Sequence, residues 1–409
     1  MLNQNNEVVM VSACRTAIGK FGGTIKDVRA NDLSMVSAGE AIKRAGIDPQ
    51  VIDEVVMGMT MGHGNGSLPP RIVGMKLGLD PRSGATMVNQ NCAASMRAVD
   101  IAAMKLAMGQ TQVALVIGTE SQSTIPYILP NMRWGARMSD TKCIDPAFMD
   151  GMMDSLVGLH MGGTAENIAE RYGITREECD YLALISHTRA VRAVDGGRFK
   201  REIVPLEYKT RKGMAVFDTD EHPIRNTNME IMAKLPSAFK KGGVVTAANA
   251  SGMNDCSASV ILMTRKKADE LGVKPLMKLL SICTEGVEPA VMGLGPAVAM
   301  PKALKEAGLN YNDIEYWEIN EAFASQMIGC FRLFKENTGI DMNFGTIEED
   351  GNINNNGSGI GLGHPVGATG VRLIVSLYHE LERLGATVGG ASMCVGGGPG
   401  MACIWTRDV

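Results

Sequence analysis

The chain has 409 residues, 45% of them hydrophobic, with a formal net charge of −4, nine cysteines and 29 methionines. That length calls for more than one domain-sized unit, and the mild acidic balance argues against a general nucleic-acid binder. No apolar run is long enough to span a bilayer, no secretory signal is visible, and no Cys/His spacing suits a metal, so a cytoplasmic chain with reduced thiols and no metal site is expected.

Short apolar runs suited to buried strands alternate with helix-patterned stretches. In chain order the strand candidates are "EVVMVSA", "EVVMGMT", "VALVIGT", "ASVILMT", "LLSIC", "IEYWEIN" and "GGASMCV". Continuous Val/Ile/Leu/Met runs predict sheets covered on both faces, hence an α/β fold. In "VNQNCAASMRAVDIAAMKLAMG", Met96, Val99, Ala103, Leu106 and Ala107 recur at helical spacing and Gly109 is a natural stop. Cys92 therefore sits at or before a first helical turn, where free N–H groups and the helix dipole favour a thiolate.

The chain also repeats itself. "AIKRAGIDPQVIDEVVMG" from Ala41 matches "ALKEAGLNYNDIEYWEIN" from Ala303: a helix stopped by Gly46 or Gly308, a linker, and a strand ending at Gly58 or Asn320. "NQNCAASMRAVDIAAM" pairs with "GLGHPVGATGVRLIVSL", which sets Cys92 against His364 once the extra polar run "KENTGIDMNFGTIEEDGNINNN" is allowed for. "QVALVIGTES" pairs with "GGASMCVGGG", placing Gly118 against Gly396. Two like halves about a pseudo-two-fold axis follow: residues 1–122 with 253–274, and residues 275–409. Residues 123–252 fit neither half and read as an inserted region.

Equivalent turns of such halves can meet at the axis, so Cys92 and His364 can face each other from two helix N-termini. A histidine between Gly363 and Pro365, duplicated opposite a cysteine, suits a positioned base. Cys394 ends an apolar strand before Gly396, Gly397 and Gly398, whose main-chain N–H groups suit an oxyanion hole. Asn320 either caps the next helix or holds a water beside a reacting carbonyl. His160 lies among small residues and suits a pocket wall; His63, His187, His222 and His379 read as surface or structural. Nucleophilic thiol, imidazole, second thiol and amide form a set. Hydrolysis leaves the second thiol idle, whereas carbon–carbon exchange between thioesters needs it to move a proton at an α-carbon.

Seven ordered motifs then carry a resemblance: "RTAIGKFGG", "NQNCAASMRAV", "HMGGTAENIAERYGITREECD", "VVTAANASGMNDCSA", "EINEAFA", "GLGHPVGATG" and "CVGGGPG". The chain resembles the thiolase family over nearly its whole length. The resemblance implies two βαβαβ-type halves stacked as a five-layered αβαβα core with an inserted loop domain. It implies an acyl-accepting Cys92, activation by His364, and acid/base work by Cys394. One oxyanion hole would be formed by His364 and an Asn320-held water, the other by the N–H groups of Cys92 and Gly396. Ser251, His160, Met161 and Phe323 would line the channel for coenzyme A, a co-substrate rather than a bound cofactor. A homodimer or homotetramer is common in the family.

Departures from the family pattern bear on substrate. The nucleophile turn is Cys92-Ala93-Ala94-Ser95, Ile224 stands where an arginine is frequent, and Ile231 stands where some members have serine. They direct the expectation toward a branched or aromatic β-ketoacyl-CoA. The catalytic subunit of benzoylsuccinyl-CoA thiolase, partnered by a small zinc-binding subunit, is one such resemblance. The alternatives are an acetoacetyl-CoA thiolase (acetyl-CoA acetyltransferase), a ketoacyl synthase-like condensing enzyme, which usually has histidine at the place of Asn320, and a non-catalytic acyl-CoA-binding subunit.

Overall fold

The apolar runs become strands of one continuous sheet. The structure, a computed structural model, describes residues 7–409. Its main strands are β1 (Val8–Thr16), β2 (Glu54–Gly58), β3 (Gly84–Val88), β4 (Val113–Ser121), β5 (Asn254–Thr264), β6 (Met277–Gly286), β7 (Tyr316–Ile319), β8 (Val388–Cys394) and β9 (Pro399–Thr406). The helices that matter for the site are α1 (Ala30–Ala45), α2 (Ala94–Ala107), α3 (Met161–Tyr172), α4 (Arg176–Asp195), α5 (Gly295–Ala307), α6 (Ala324–Thr338) and α7 (Thr369–Leu384).

The strand order is β7-β8-β9-β6-β1-β5-β4-β2-β3. Read outward from its middle, it repeats. The first half runs β1-β5-β4-β2-β3 and the second β6-β9-β8-β7, and the two join where Met10 pairs with Met277 and Val9 with Lys278. Beyond β7 a single parallel bridge between Trp317 and Ile353 stands where β3 stands in the first half. The duplication read from sequence is thus a duplication of topology.

Parallel neighbours need crossover connections, usually helical. Helix α2 links β3 to β4, which pair through β2, and α7 leads into β8, parallel to β7. These two helices form the middle layer: Met96, Val99 and Leu106 share one core with Val371, Ile374 and Leu377 and with side chains of both halves of the sheet. Helix α1 covers the outer face of the first half, and α5 and α6 that of the second. The layers therefore run αβαβα, as the resemblance implied.

Two expectations need correction. β3 is absent from the strand candidates because, as a part-exposed edge strand, "GATMV" carries no continuous apolar run. The match of Gly118 to Gly396 is out by three residues. Gly58 pairs with Gly118, and the register of Ile319 with Ser392 sets Asn320 against Met393, so Gly118 corresponds to Met393. Glycines dominated the alignment, whereas ladder register follows the buried side chains.

The inserted region is tied to the first half by charge. The fully buried Arg15 donates to Glu202 at 2.7 Å and to Asp220 at 2.7 and 2.9 Å. The extra polar stretch near 335–353 is likewise held down. Arg189 of α4 donates to the carbonyls of Phe344 at 2.5 Å and Ile353 at 3.0 Å, its guanidinium 4.7 Å from the Phe344 ring centroid.

Candidate active site

The Cys92 turn is built from asparagines. Between β3 and α2, Asn91 takes φ 46°, in the left-handed region that asparagine tolerates better than most side chains. Its N–H donates to Asn89 Oδ1 at 2.9 Å, and its side-chain Nδ2 donates to the Gly396 carbonyl at 2.9 Å. This ties the β8–β9 turn to the Cys92 turn, and the N–H groups of Gly396 and Cys92 both donate toward the Cys92 sulfur. Those donors and the helix N-terminus were expected to favour a thiolate. Burial outweighs them and pushes the thiol up to about 11. At neutral pH Cys92 is a thiol, and a thiolate there would need a base beside it.

His364 is fixed more firmly. Its N–H donates to Asn254 Oδ1 at 2.9 Å, and the Gly367 N–H donates to the buried Glu120 carboxylate at 3.0 Å. Glu120 also accepts the Thr60 N–H at 3.0 Å and the Met61 N–H at 3.2 Å, joining the two halves. Gly363 has φ +100°, and a Cβ there would lie 2.4 Å from Asn254 Oδ1, so this turn requires glycine. Pro365 does not begin the long helix. It precedes a short 3₁₀ turn, Val366–Ala368, and α7 follows.

The tautomer of His364 follows from one hydroxyl. Thr369 Oγ1 donates its single proton to the Pro365 carbonyl at 3.0 Å, so it accepts from His364 Nδ1–H at 2.7 Å. Nε2 is left unprotonated, buried and without a hydrogen-bond partner. Burial, with some repulsion from Arg372, lowers the imidazole to about 3, so the ring is neutral and able to accept.

Cys92, His364, His160, Met161, Ser251 and Phe323 line one cavity of about 250 Å³. His160 is also structural. It caps α3 by accepting the Gly162 N–H at 3.0 Å, and its ring stacks on Phe239 at 4.4 Å between centroids. Cys394, Asn320 and Gly396 are not on the cavity wall. Cys394 is fully buried against Met161, Ala322 and Phe323. Its thiol is pushed well above the ordinary value by burial first and then by Cys92, which puts the two sulfurs within electrostatic reach. Asn320 is fully buried with neither polar side-chain atom paired. A buried amide in that state costs free energy unless water or a ligand satisfies it.

Sequence reasoning missed Asn91, Glu120, Asn254 and Thr369. Three of them lie inside or beside the seven motifs, but nothing local says whose backbone they hold. Ile224 and Ile231 are exposed, and the neighbouring Arg225 is bound to Asp195 at 2.7 Å. Among the described residues no group of three or more His, Cys, Asp or Glu side chains is arranged to hold a metal ion, and no helix is long and apolar enough to cross a membrane.

Comparison with known proteins covers the whole arrangement. The thiolase N-terminal domain matches residues 8–266 and the thiolase C-terminal domain residues 273–407. An acetyl-CoA acetyltransferase of Syntrophomonas wolfei is 47% identical over 97% of this chain and 98% of its own. A beta-ketothiolase of Cupriavidus necator is 41% identical over 98% and 99%. A solved acetyl-CoA acetyltransferase from Syntrophomonas wolfei superposes with a TM-score of 0.96 at 60% identity, covering 98% of this chain and all of that one. Human mitochondrial 3-ketoacyl-CoA thiolase does so with a TM-score of 0.91 at 36% identity, over 98% and 99%. Both halves and the inserted region are matched from end to end, so the chain belongs to the thiolase family and is a coenzyme A-dependent acyltransferase.

Proposed function

We propose that the chain is an acetoacetyl-CoA thiolase, an acetyl-CoA acetyltransferase, working through an acetyl group on Cys92. The observation that carries this is the cavity that Cys92 and His364 line together, with Nε2 of the neutral imidazole left without a hydrogen-bond partner. The names of the similar proteins support this substrate. The relatives' names lend no support to benzoylsuccinyl-CoA or to a small zinc-binding subunit.

The reaction follows from the protonation states. Cys92 gives its proton to His364 Nε2 as the sulfur attacks the keto carbon of the β-ketoacyl-CoA. The oxyanion that forms on that carbon is held by the N–H groups of Cys92 and Gly396, which both point toward the Cys92 sulfur. The carbon–carbon bond breaks, and the enolate of acetyl-CoA, its oxygen held by His364 Nε2–H and by a water on Asn320, whose unpaired amide invites one, takes a proton from Cys394. The thiol of coenzyme A then attacks the acetyl-Cys92 carbonyl, whose oxygen stays on the N–H groups of Cys92 and Gly396. Its proton restores Cys394, the acetyl–Cys92 bond breaks, and His364 returns its proton to the Cys92 sulfur. Ser251, His160, Met161 and Phe323 hold the pantetheine and acyl chain. Synthesis is the reverse.

The test is cleavage of acetoacetyl-CoA with coenzyme A, followed by peptide mass spectrometry after quenching. An acetyl adduct on the Cys92 peptide supports the reading; cleavage without it, or no cleavage, overturns it. Cys394→Ser should abolish carbon–carbon exchange. We also propose self-association as a dimer or tetramer, supported by the exposed Tyr127, Trp134, Met138 and Leu156 of the inserted region. A monomer by light scattering would overturn that.

A further inference from the structure

His222 belongs to the inserted region, lines no part of the cavity, and read from sequence as surface or structural. The structure links it to His364 in two steps. Asn254 Oδ1 accepts the His364 N–H at 2.9 Å, while its Nδ2 donates to the Gly19 carbonyl at 2.9 Å and lies 3.2 Å from His222 Nδ1. The amide cannot be turned over, because its oxygen must face the His364 N–H and its nitrogen the Gly19 carbonyl. Its second N–H therefore points at His222 Nδ1, which must be an acceptor, and the ring proton of His222 sits on Nε2. The other partner of the ring is the main chain of Ile360, in the short helix Gly359–Leu362 just before Gly363 and His364.

The His222 ring is thus wedged where two turns meet. A Cβ on Gly252, a residue of the cavity wall, would lie 2.2 Å from His222 Cε1, and a Cβ on Gly363 would strike the Asn254 side chain. His222 touches both supports of the His364 turn: the helix that enters it and the amide that holds its N–H.

We propose that His222 is a positioning residue for His364, supplying the contact that steadies Asn254 and the helix turn before Gly363, and with them the backbone of the base. This rests on the reading of His364 as the base. Without an acceptor at His222, one Asn254 N–H is buried and unpaired, and the amide that holds the His364 N–H loses one of its three contacts.

The experiment compares His222→Phe, which fills the space without an acceptor, with His222→Asn, whose carbonyl oxygen can take the place of Nδ1. Thiolysis of acetoacetyl-CoA by His222→Phe should show kcat lower by about ten-fold or more with KM within about two-fold, since an unpaired buried donor costs on that order. His222→Asn should recover most of the loss. Alkylation of Cys92 by iodoacetamide should slow in parallel in His222→Phe, because the thiol depends on His364. Wild-type kcat in His222→Phe overturns the proposal, and so does an equal loss in both variants. If His222→Phe does not fold, Asn254→Asp tests the link together with the Gly19 contact, since a carboxylate still accepts from His364 but no longer donates to His222 or to Gly19; unchanged kcat there overturns the proposal. His364→Ala is the control: if it also retains activity, the reading of the base has failed rather than the role of His222.

Discussion

The Cys92 and His364 turns occupy equivalent places in the two halves, yet they are built differently. The cysteine turn is held by Asn89 beside it and by one distant tie, from Asn91 to the Gly396 carbonyl, and stays part-open to the cavity. The histidine turn is held from four directions, by Asn254, Glu120, Thr369 and a required glycine, and is almost wholly buried. The difference follows from chemistry. A sulfur nucleophile is a single atom that must be reached by substrate, and modest rotation costs it little. An imidazole base works only with the correct nitrogen bare and aimed, so its backbone and its tautomer both need support.

Breaking either turn at its reactive atom should have the largest effect. Cys92→Ala should abolish the acyl-enzyme and with it thiolysis. His364→Ala should lower kcat by about 10²–10⁴-fold, the usual contribution of a positioned acid/base group. Steady-state thiolysis of acetoacetyl-CoA measures both, and a His364→Ala enzyme near wild-type rate would remove the asymmetry between the turns.

Asn320→Ala should come next, at about 10²–10³-fold in kcat, because it removes the amide proposed to hold a water at the developing oxyanion. A change in KM alone would mean that Asn320 serves binding instead. A smaller loss, about ten-fold in kcat, is expected of Thr369→Val, which leaves His364 Nδ1–H without its acceptor and frees the tautomer. Thr369→Ser should restore the rate; if it does not, the threonine methyl rather than its hydroxyl matters.

The smallest effect concerns stability. His364 is lowered to about 3, below the ordinary histidine value near 6.5, so between those pH values the unfolded chain binds the proton and the folded one does not. Its contribution is complete above pH about 6.5 and is lost as pH falls toward 3. His364→Gln should therefore flatten the decline of Tm on acidification over that window, and parallel Tm–pH curves for the two proteins would contradict it.

Much of this was legible in the residues. The repeat between Ala41 and Ala303 located two halves, and the two residues it set against each other across the polar stretch, Cys92 and His364, line one cavity. The Gly118 match failed because glycines are interchangeable in a string, while strand register obeys the side chains that pack. The supports of His364 were unreadable for a related reason. Asn254 is 110 positions from His364 and Glu120 is 247 from Gly367, and no local pattern marks which distant amide or carboxylate will meet a given N–H.

Periodicity and internal repetition, both local in the chain, determined the α/β class, the doubled architecture and the candidate reactive side chains. Only the tertiary structure decided their protonation: burial raised the thiol against the pull of its helix, and one threonine hydroxyl chose the bare nitrogen of the imidazole. Desolvation and hydrogen-bond direction depend on what surrounds a group in three dimensions, and the order of residues does not state that.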